Sequence, residues 1–264
     1  MNVRTWCVTA SMLFALPVFG GEPSTLTVFA AASLDGPFRE LAREFERAEP
    51  GVRVRLNLAG SQQLAAQLRQ GAKADVFASA DARWMAFADS IGVLAAPAMV
   101  FAHNSLTVIV PGANPAHITR LQDLARPGIK LVLGAEAVPV GHYSRAMLRN
   151  LAQLPGYAPD FAPRVLANTV SEEENVRAVA NKVQLGEADA GIVYRSDVTL
   201  ALARHVREFA VPDAANVVVA YHIAILRSAR DRAAAGRFVA MLRSPKGRAI
   251  LARYRMKSAL TDGR

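Results

Sequence analysis

The apolar positions of this chain follow two periods, and the two take turns. Residues 26–31, LTVFAA, are an apolar run of strand length. Directly after it, Leu34, Phe38, Leu41 and Phe45 recur at spacings of three and four, which predicts a helix with one buried face. Pro50-Gly51 marks a turn. In VRVRLNLAG, Val52, Val54, Leu56 and Leu58 alternate with Arg53, Arg55 and Asn57, the pattern of a half-buried or edge strand. QQLAAQLRQG predicts a helix with Leu64 and Leu68 inward and Gly71 at its C-terminal stop, and ADVFASA a short buried strand.

The middle of the chain breaks this rhythm. MVFAHNSLTVIVPG is an extended run about twice the length of an ordinary strand. Two strands laid end to end, crossing between two lobes near residues 103–105, account for it. A second lobe then holds IKLVLG, the loop AEAVPVG, a helix through Met147 and Leu151, a Pro-rich connection over 155–163, a helix over about 172–185 and the strand AGIVY. NVVVAYHIAIL carries the chain back, and the helices AAAGRFVAMLRS and PKGRAILARYRM are expected on the first lobe. Alternating strands and helices predict an α/β fold with largely parallel sheets. With two crossings it becomes two hinged α/β lobes around a ligand cleft. The expected boundaries are 22–104 for the first lobe, 105–216 for the second and 217–264 for the return segment. Clefts between lobes and the carboxyl ends of strands are where such folds bind ligands.

The N-terminus reads differently. Arg4 followed by the mostly apolar run from Trp6 to Phe19 and by Gly20-Gly21 is the pattern of a secretory signal peptide over 1–21. No later stretch reaches the roughly 18 uninterrupted apolar residues of a membrane span. The expectation is an exported, soluble, periplasmic protein cleaved near Gly20-Gly21. Cys7, the one cysteine, lies in that leader, so the mature chain has no disulfide, thiol nucleophile or thiolate metal site. A net charge of +9 favours anionic partners in general, but the arginines are scattered and aromatics are only 7%, which argues against nucleic acid.

Four strand-to-helix junctions face the expected cleft. Ser33 and Ser61 read as caps of the first two helices, Val140-Gly141 opens the helix after KLVLG, and Asn175-Val176 lies in the first turns of the helix after NTVSEEE. Each junction offers backbone N–H groups that a helix cannot satisfy itself, at the positive end of its dipole. Together they form neutral donors suited to a small oxyanion. Singly, each serine is equally an ordinary cap.

These junctions lie in FAAASL, AGSQQL, ADVFASAD, AVPVGHY, ENVRAV and GEADAGIVYRSDV, and in that order they resemble the periplasmic molybdate-binding proteins of ABC importers over nearly the whole mature chain. The resemblance implies a type II periplasmic-binding fold that clamps a tetrahedral oxyanion, molybdate or tungstate, and hands it to a membrane ABC permease. It implies a monomer with no cofactor. Its ligand donors would be Ser33, Ser61, the backbone N–H of Val140 and of Val176, and the Tyr194 hydroxyl, touching the metal only through the oxyanion's oxygens. Relatives with an expanded site place carboxylates where this chain has Val140 and Val176, so a four-coordinate oxyanion held by hydrogen bonds is expected here.

Glu172, Glu173 and Glu174 sit just ahead of Val176, where negative charge opposes a dianion. Ser171 and Glu174 fit a capping box, which would turn these side chains to solvent or to Arg177, and a direct role in the site stays open. His142 beside VPVG is either a cleft contact or a surface or lobe-packing residue. An enzyme is disfavoured, because no G-x-S-x-G elbow and no H-E-x-x-H occurs. A sensor on the same fold would carry a helix-turn-helix or a membrane segment. Sulfate and phosphate remain rival oxyanions, and a cage of donors leaves the O–H of a protonated anion without an acceptor.

Overall fold

The computed structural model describes residues 23–259, and the leader expected over 1–21 lies outside them. Strand β1 (Ser24–Ala31) leads through a tight turn at Ala32–Leu34 into α1 (Asp35–Ala48). Then follow β2 (Val52–Ala59), α2 (Ser61–Arg69), β3 (Val76–Ser79), α3 (Ala82–Ser90) and β4 (Met99–Asn104). The second lobe contains β5 (Leu106–Pro111), β6 (Leu131–Gly134), α4 (Pro139–Leu151), α5 (Phe161–Ala167), β7 (Thr169–Glu173), α6 (Val176–Gln184), β8 (Ala190–Tyr194) and β9 (Val206–Ala210). Strand β10 (Val219–Ile225), α7 (Arg232–Arg243), α8 (Pro245–Arg253) and β11 (Lys257–Ser258) return to the first.

The strands form two sheets, ordered β11-β4-β10-β3-β1-β2 and β7-β6-β8-β5-β9. The alternating strand β2 is indeed an edge. The long extended run splits at Ser105 alone, with β4 in one sheet and β5 in the other. The sheets are mixed rather than largely parallel. β10 runs antiparallel to β3 and β4, and β5 antiparallel to β8 and β9. The crossings cause this: β5 and β10 enter their sheets from the cleft, whereas β1, β3, β6 and β8 run toward it.

Register then assembles the cleft edge. Ala31 pairs with Ala59, and Ala30 with Ala78, so β1, β2 and β3 end side by side. In the other sheet Gly134 pairs with Glu173, and β6 runs parallel to β8, which ends at Tyr194. Behind the first sheet, Phe38 packs on Phe101 and Phe238 at 6.0 and 6.1 Å between ring centres, and Phe45 on Phe238 at 5.4 Å. Each such buried ring contributes about 1.5–3 kcal/mol. This cluster ties α7 and α1 to the first sheet, as the apolar faces of both helices predict.

One element differs in kind. Residues 172–174 do not begin a helix. Thr169–Glu173 is β7, paired in parallel with β6, and α6 starts only at Val176. Sheet pairing overrides the local capping-box pattern, and Asn175 is the cap instead, accepting from the Ala178 N–H at 3.1 Å.

Candidate functional site

Where the two sets of strand ends meet, a small cavity forms between the lobes. Its walls include Ser33, Gly60, Ser61, Val140, Val176 and Tyr194. All five residues named as donors from the sequence thus come together, from the turn before α1, three helix starts and one strand end. About 10 Å³ of free room remains, near the smallest that holds one water-sized species, so the lobes stand closed upon each other. No charged side chain among the described residues lines the cavity.

The first-lobe hydroxyls are not helix caps. Ser33 sits in the turn before α1 and bonds the Tyr221 hydroxyl at 2.8 Å. Ser61 is the first residue of α2, whose cap is Gly60, and its Oγ accepts the Ala80 N–H at 3.0 Å. The two serines are 5% and 1% exposed. With Oγ of Ser61 occupied as an acceptor, its own O–H is free to donate into the cavity.

The second-lobe donors are helix starts. Pro139 occupies the first position of α4, so Val140 carries that helix's first N–H. Val176 opens α6. Neither N–H has an acceptor within its own helix, and each lies at a positive helix end. Gly134 and Gly141 permit this packing: a Cβ on Gly141 would stand 2.1 Å from the carbonyl oxygens of both Gly134 and Ala135. Tyr194 is 1% exposed, and its hydroxyl has no hydrogen-bond partner among the described residues. Burial pushes the Tyr194 phenol well above its ordinary pKa of 10, so it stays a protonated donor. A buried polar atom without a partner is costly, unless a ligand supplies one.

Contacts across the cleft were only partly foreseen. Glu174 is exposed, as expected, but it also reaches across the cleft. Its carbonyl accepts from Gln62 Nε2 at 2.7 Å and its carboxylate from Gln63 Nε2 at 2.8 Å. Gly60 makes room for that approach, since a Cβ there would lie 2.6 Å from the Glu174 carbonyl oxygen. Trp84 Nε1 donates to the Ala137 carbonyl at 2.9 Å, and Arg177 pairs with Asp35 at 2.8 Å. The other two glutamates are held within the second lobe, Glu172 by Arg145 and Glu173 by Lys182. His142 packs edge-on against Tyr143 and does not line the cavity. The glutamines stand in the GSQQ motif, but nothing local marks them as clasps.

A wider groove of about 280 Å³ opens on the far side of Ser33, with Asp35, Arg177 and Asp197 on its walls. Its carboxylates make it the poorer place for an anion. Burial pushes the Asp197 carboxyl up to about 7, against the opposing pull of the Tyr194 N–H, which it accepts at 2.9 Å, and of the Arg177 charge. No group of three or more His, Cys, Asp or Glu that could hold a metal ion occurs among the described residues.

Comparison with known proteins agrees with this geometry. The sequence pattern of the bacterial extracellular solute-binding protein family matches residues 26–257. The molybdate-binding protein ModA of Mycobacterium tuberculosis is 41% identical over 227 residues, covering 86% of this chain and 82% of that protein. ModA of Escherichia coli is 32% identical over 241 residues, covering 88% and 89%. The periplasmic molybdate-binding protein of Azotobacter vinelandii has the same fold, with a TM-score of 0.74 at 22% identity over 90% of this chain and 100% of that one.

Proposed function

The chain belongs to the bacterial extracellular solute-binding proteins and, among them, to the ModA-type molybdate-binding proteins; from this premise we propose how it captures molybdate and passes it on. It is a binding protein and not an enzyme. The oxyanion sits in the small interlobe cavity. Ser33 and Ser61 donate from the first lobe, and Val140 N–H, Val176 N–H and the Tyr194 hydroxyl donate from the second. The observation that carries this reading is the Tyr194 hydroxyl, buried without a partner among the described residues on the wall that Ser33, Ser61, Val140 and Val176 share.

Neutral donors suffice for a dianion here. Hydrogen bonds to charged groups are worth about 1.5–3 kcal/mol each, and an enclosed site removes the competing water. Among the described residues no side-chain carboxylate lines the walls, so the metal centre of the anion keeps its own four oxygens as its only ligands. The ligand bridges donors on both lobes and therefore favours the closed state. Tungstate, with the same shape and charge, is a second cargo. The closed, loaded form is what a membrane ABC permease receives. We place the mature protein in the periplasm as a monomer, after cleavage near Gly20-Gly21.

A thermal-melt panel with molybdate, tungstate, sulfate and phosphate tests the reading. Ligand at about 100 times its dissociation constant adds roughly 2.7 kcal/mol of stability. Molybdate and tungstate are expected to give that shift, sulfate less and phosphate none. Absence of a molybdate shift would overturn the assignment, and an equal sulfate shift would overturn the specificity.

A further inference from the structure

Behind Ser33 lies a chain of buried polar groups that the cavity itself does not explain. The Ser33 hydroxyl meets the Tyr221 hydroxyl at 2.8 Å. Tyr221 is fully buried on β10 and receives Asn104 Nδ2 at 3.4 Å. Asn104 ends β4 at the crossing between lobes. Its Oδ1 accepts the Ser105 N–H at 2.9 Å, which orients the amide so that Nδ2 points at Ser196 Oγ, at 2.8 Å, and at Tyr221.

This orientation decides which hydroxyl donates to which. The Tyr221 oxygen faces an N–H donor on one side, so its proton turns to the other side, where Ser33 Oγ lies. Burial, with Asp197 nearby, holds the Tyr221 phenol well above its ordinary pKa of 10, so that proton is never lost. Ser33 Oγ is therefore an acceptor from behind, and its own proton is left for the cavity. We propose that Tyr221, turned by Asn104, is a positioning residue that fixes Ser33 as a donor to the bound oxyanion. The inference rests on the oxyanion reading above. A backbone N–H does the same for Ser61 from Ala80. With one lone pair of each serine taken from behind and its proton turned inward, the first-lobe wall is a poorer acceptor for the O–H of a protonated anion. Each bond in the chain also polarises the next, which strengthens the last one.

The test is a double-mutant cycle of Y221F and S33A, read by calorimetry with molybdate at protein concentrations that still register weak binding. Y221F keeps the ring and is expected to lower molybdate affinity about three- to tenfold. In the S33A background the same change is expected to cost nothing further. Competition against molybdate at mildly alkaline pH adds a second readout. There sulfate carries no proton and phosphate carries one. Y221F is expected to narrow the preference for sulfate over phosphate, because a released Ser33 turns a lone pair inward. Equal losses in both backgrounds, or no loss in either, overturn the proposal; an unchanged sulfate-to-phosphate preference overturns its directional part. Should Y221F not fold, Asn104→Leu removes the amide that turns the phenol and moves both readouts the same way by less. A wild-type protein that binds none of the anions overturns the underlying reading, whereas wild-type binding with an unaltered Y221F overturns this inference alone.

Discussion

The two walls of the cavity solve the same problem in opposite ways. On the first lobe the donors are hydroxyls, and each already accepts a hydrogen bond from behind, Ser61 from Ala80 and Ser33 from Tyr221. On the second lobe the donors are bare: two helix-start N–H groups and a Tyr194 hydroxyl with no partner among the described residues. The first wall's oxygens are held in place before any occupant arrives, with only their protons left over, whereas the second wall's donors are not held by such bonds. An anion therefore gains most of its preset geometry from one side and relieves an unmet need on the other.

Removing the first wall has the largest expected effect. Ser33→Ala with Ser61→Ala takes away two charge-assisted bonds, about 3–6 kcal/mol together, so molybdate affinity measured by calorimetry falls by about a hundredfold or more. Tyr194→Phe comes next and separates the walls most sharply. It lowers affinity about tenfold or more. It also leaves the unliganded melting temperature unchanged or raised, because the hydroxyl it deletes has no partner to lose. Ser61→Ala alone lowers that temperature instead, since it strands the Ala80 N–H. If both single variants changed unliganded stability alike, the contrast between the walls would be wrong.

The clasps across the rim are worth less. Gln62→Ala with Gln63→Ala removes two hydrogen bonds to Glu174, about 0.5–1.5 kcal/mol each. Affinity is expected to fall several-fold, and solution scattering of the unliganded protein to show a more open average shape. The smallest effect concerns Asp197, which braces the Tyr194 N–H. Its folded pKa of about 7 lies above the ordinary 3.8, so the fold binds a proton that the unfolded chain has released. That contribution is complete below about pH 3.8 and is lost as pH rises through about 7. Asp197 keeps partial solvent contact, which moderates the effect. Asp197→Asn is expected to flatten the fall in melting stability between those limits by about 1 kcal/mol. A slope identical to wild type would show that the carboxyl titrates elsewhere.

Much of the frame was legible because it is local. The helix face of Leu34, Phe38, Leu41 and Phe45, the alternation of β2 and the doubled strand around Ser105 each announce themselves within a dozen residues. The positions of Ser33, Ser61, Val140 and Val176 were legible too, since each stands at a strand-to-helix junction, whereas Tyr194 entered only through the family resemblance. What those residues do was less so. Ser33 and Ser61 have the spacing of caps, and only contacts 188 and 19 residues away along the chain show otherwise. The glutamate run misled for a similar reason. SEEE suits a helix start in isolation, but β6 lies alongside and claims it as a strand. Tyr221 and Asn104 looked like ordinary strand residues, and nothing near them in sequence points to Ser33.

The single-residue joint at Ser105 carries a mechanical consequence. The chain of Asn104, Ser196 and Tyr221 lies beside that joint, while the Gln62–Glu174 and Trp84–Ala137 contacts tie the lobes next to Gly60, Ser61 and Val138 on the cavity wall. On the proposed reading the anion is gripped between these two sets of ties. Anion radius then sets how far the lobes can close, and both sets of ties register the difference.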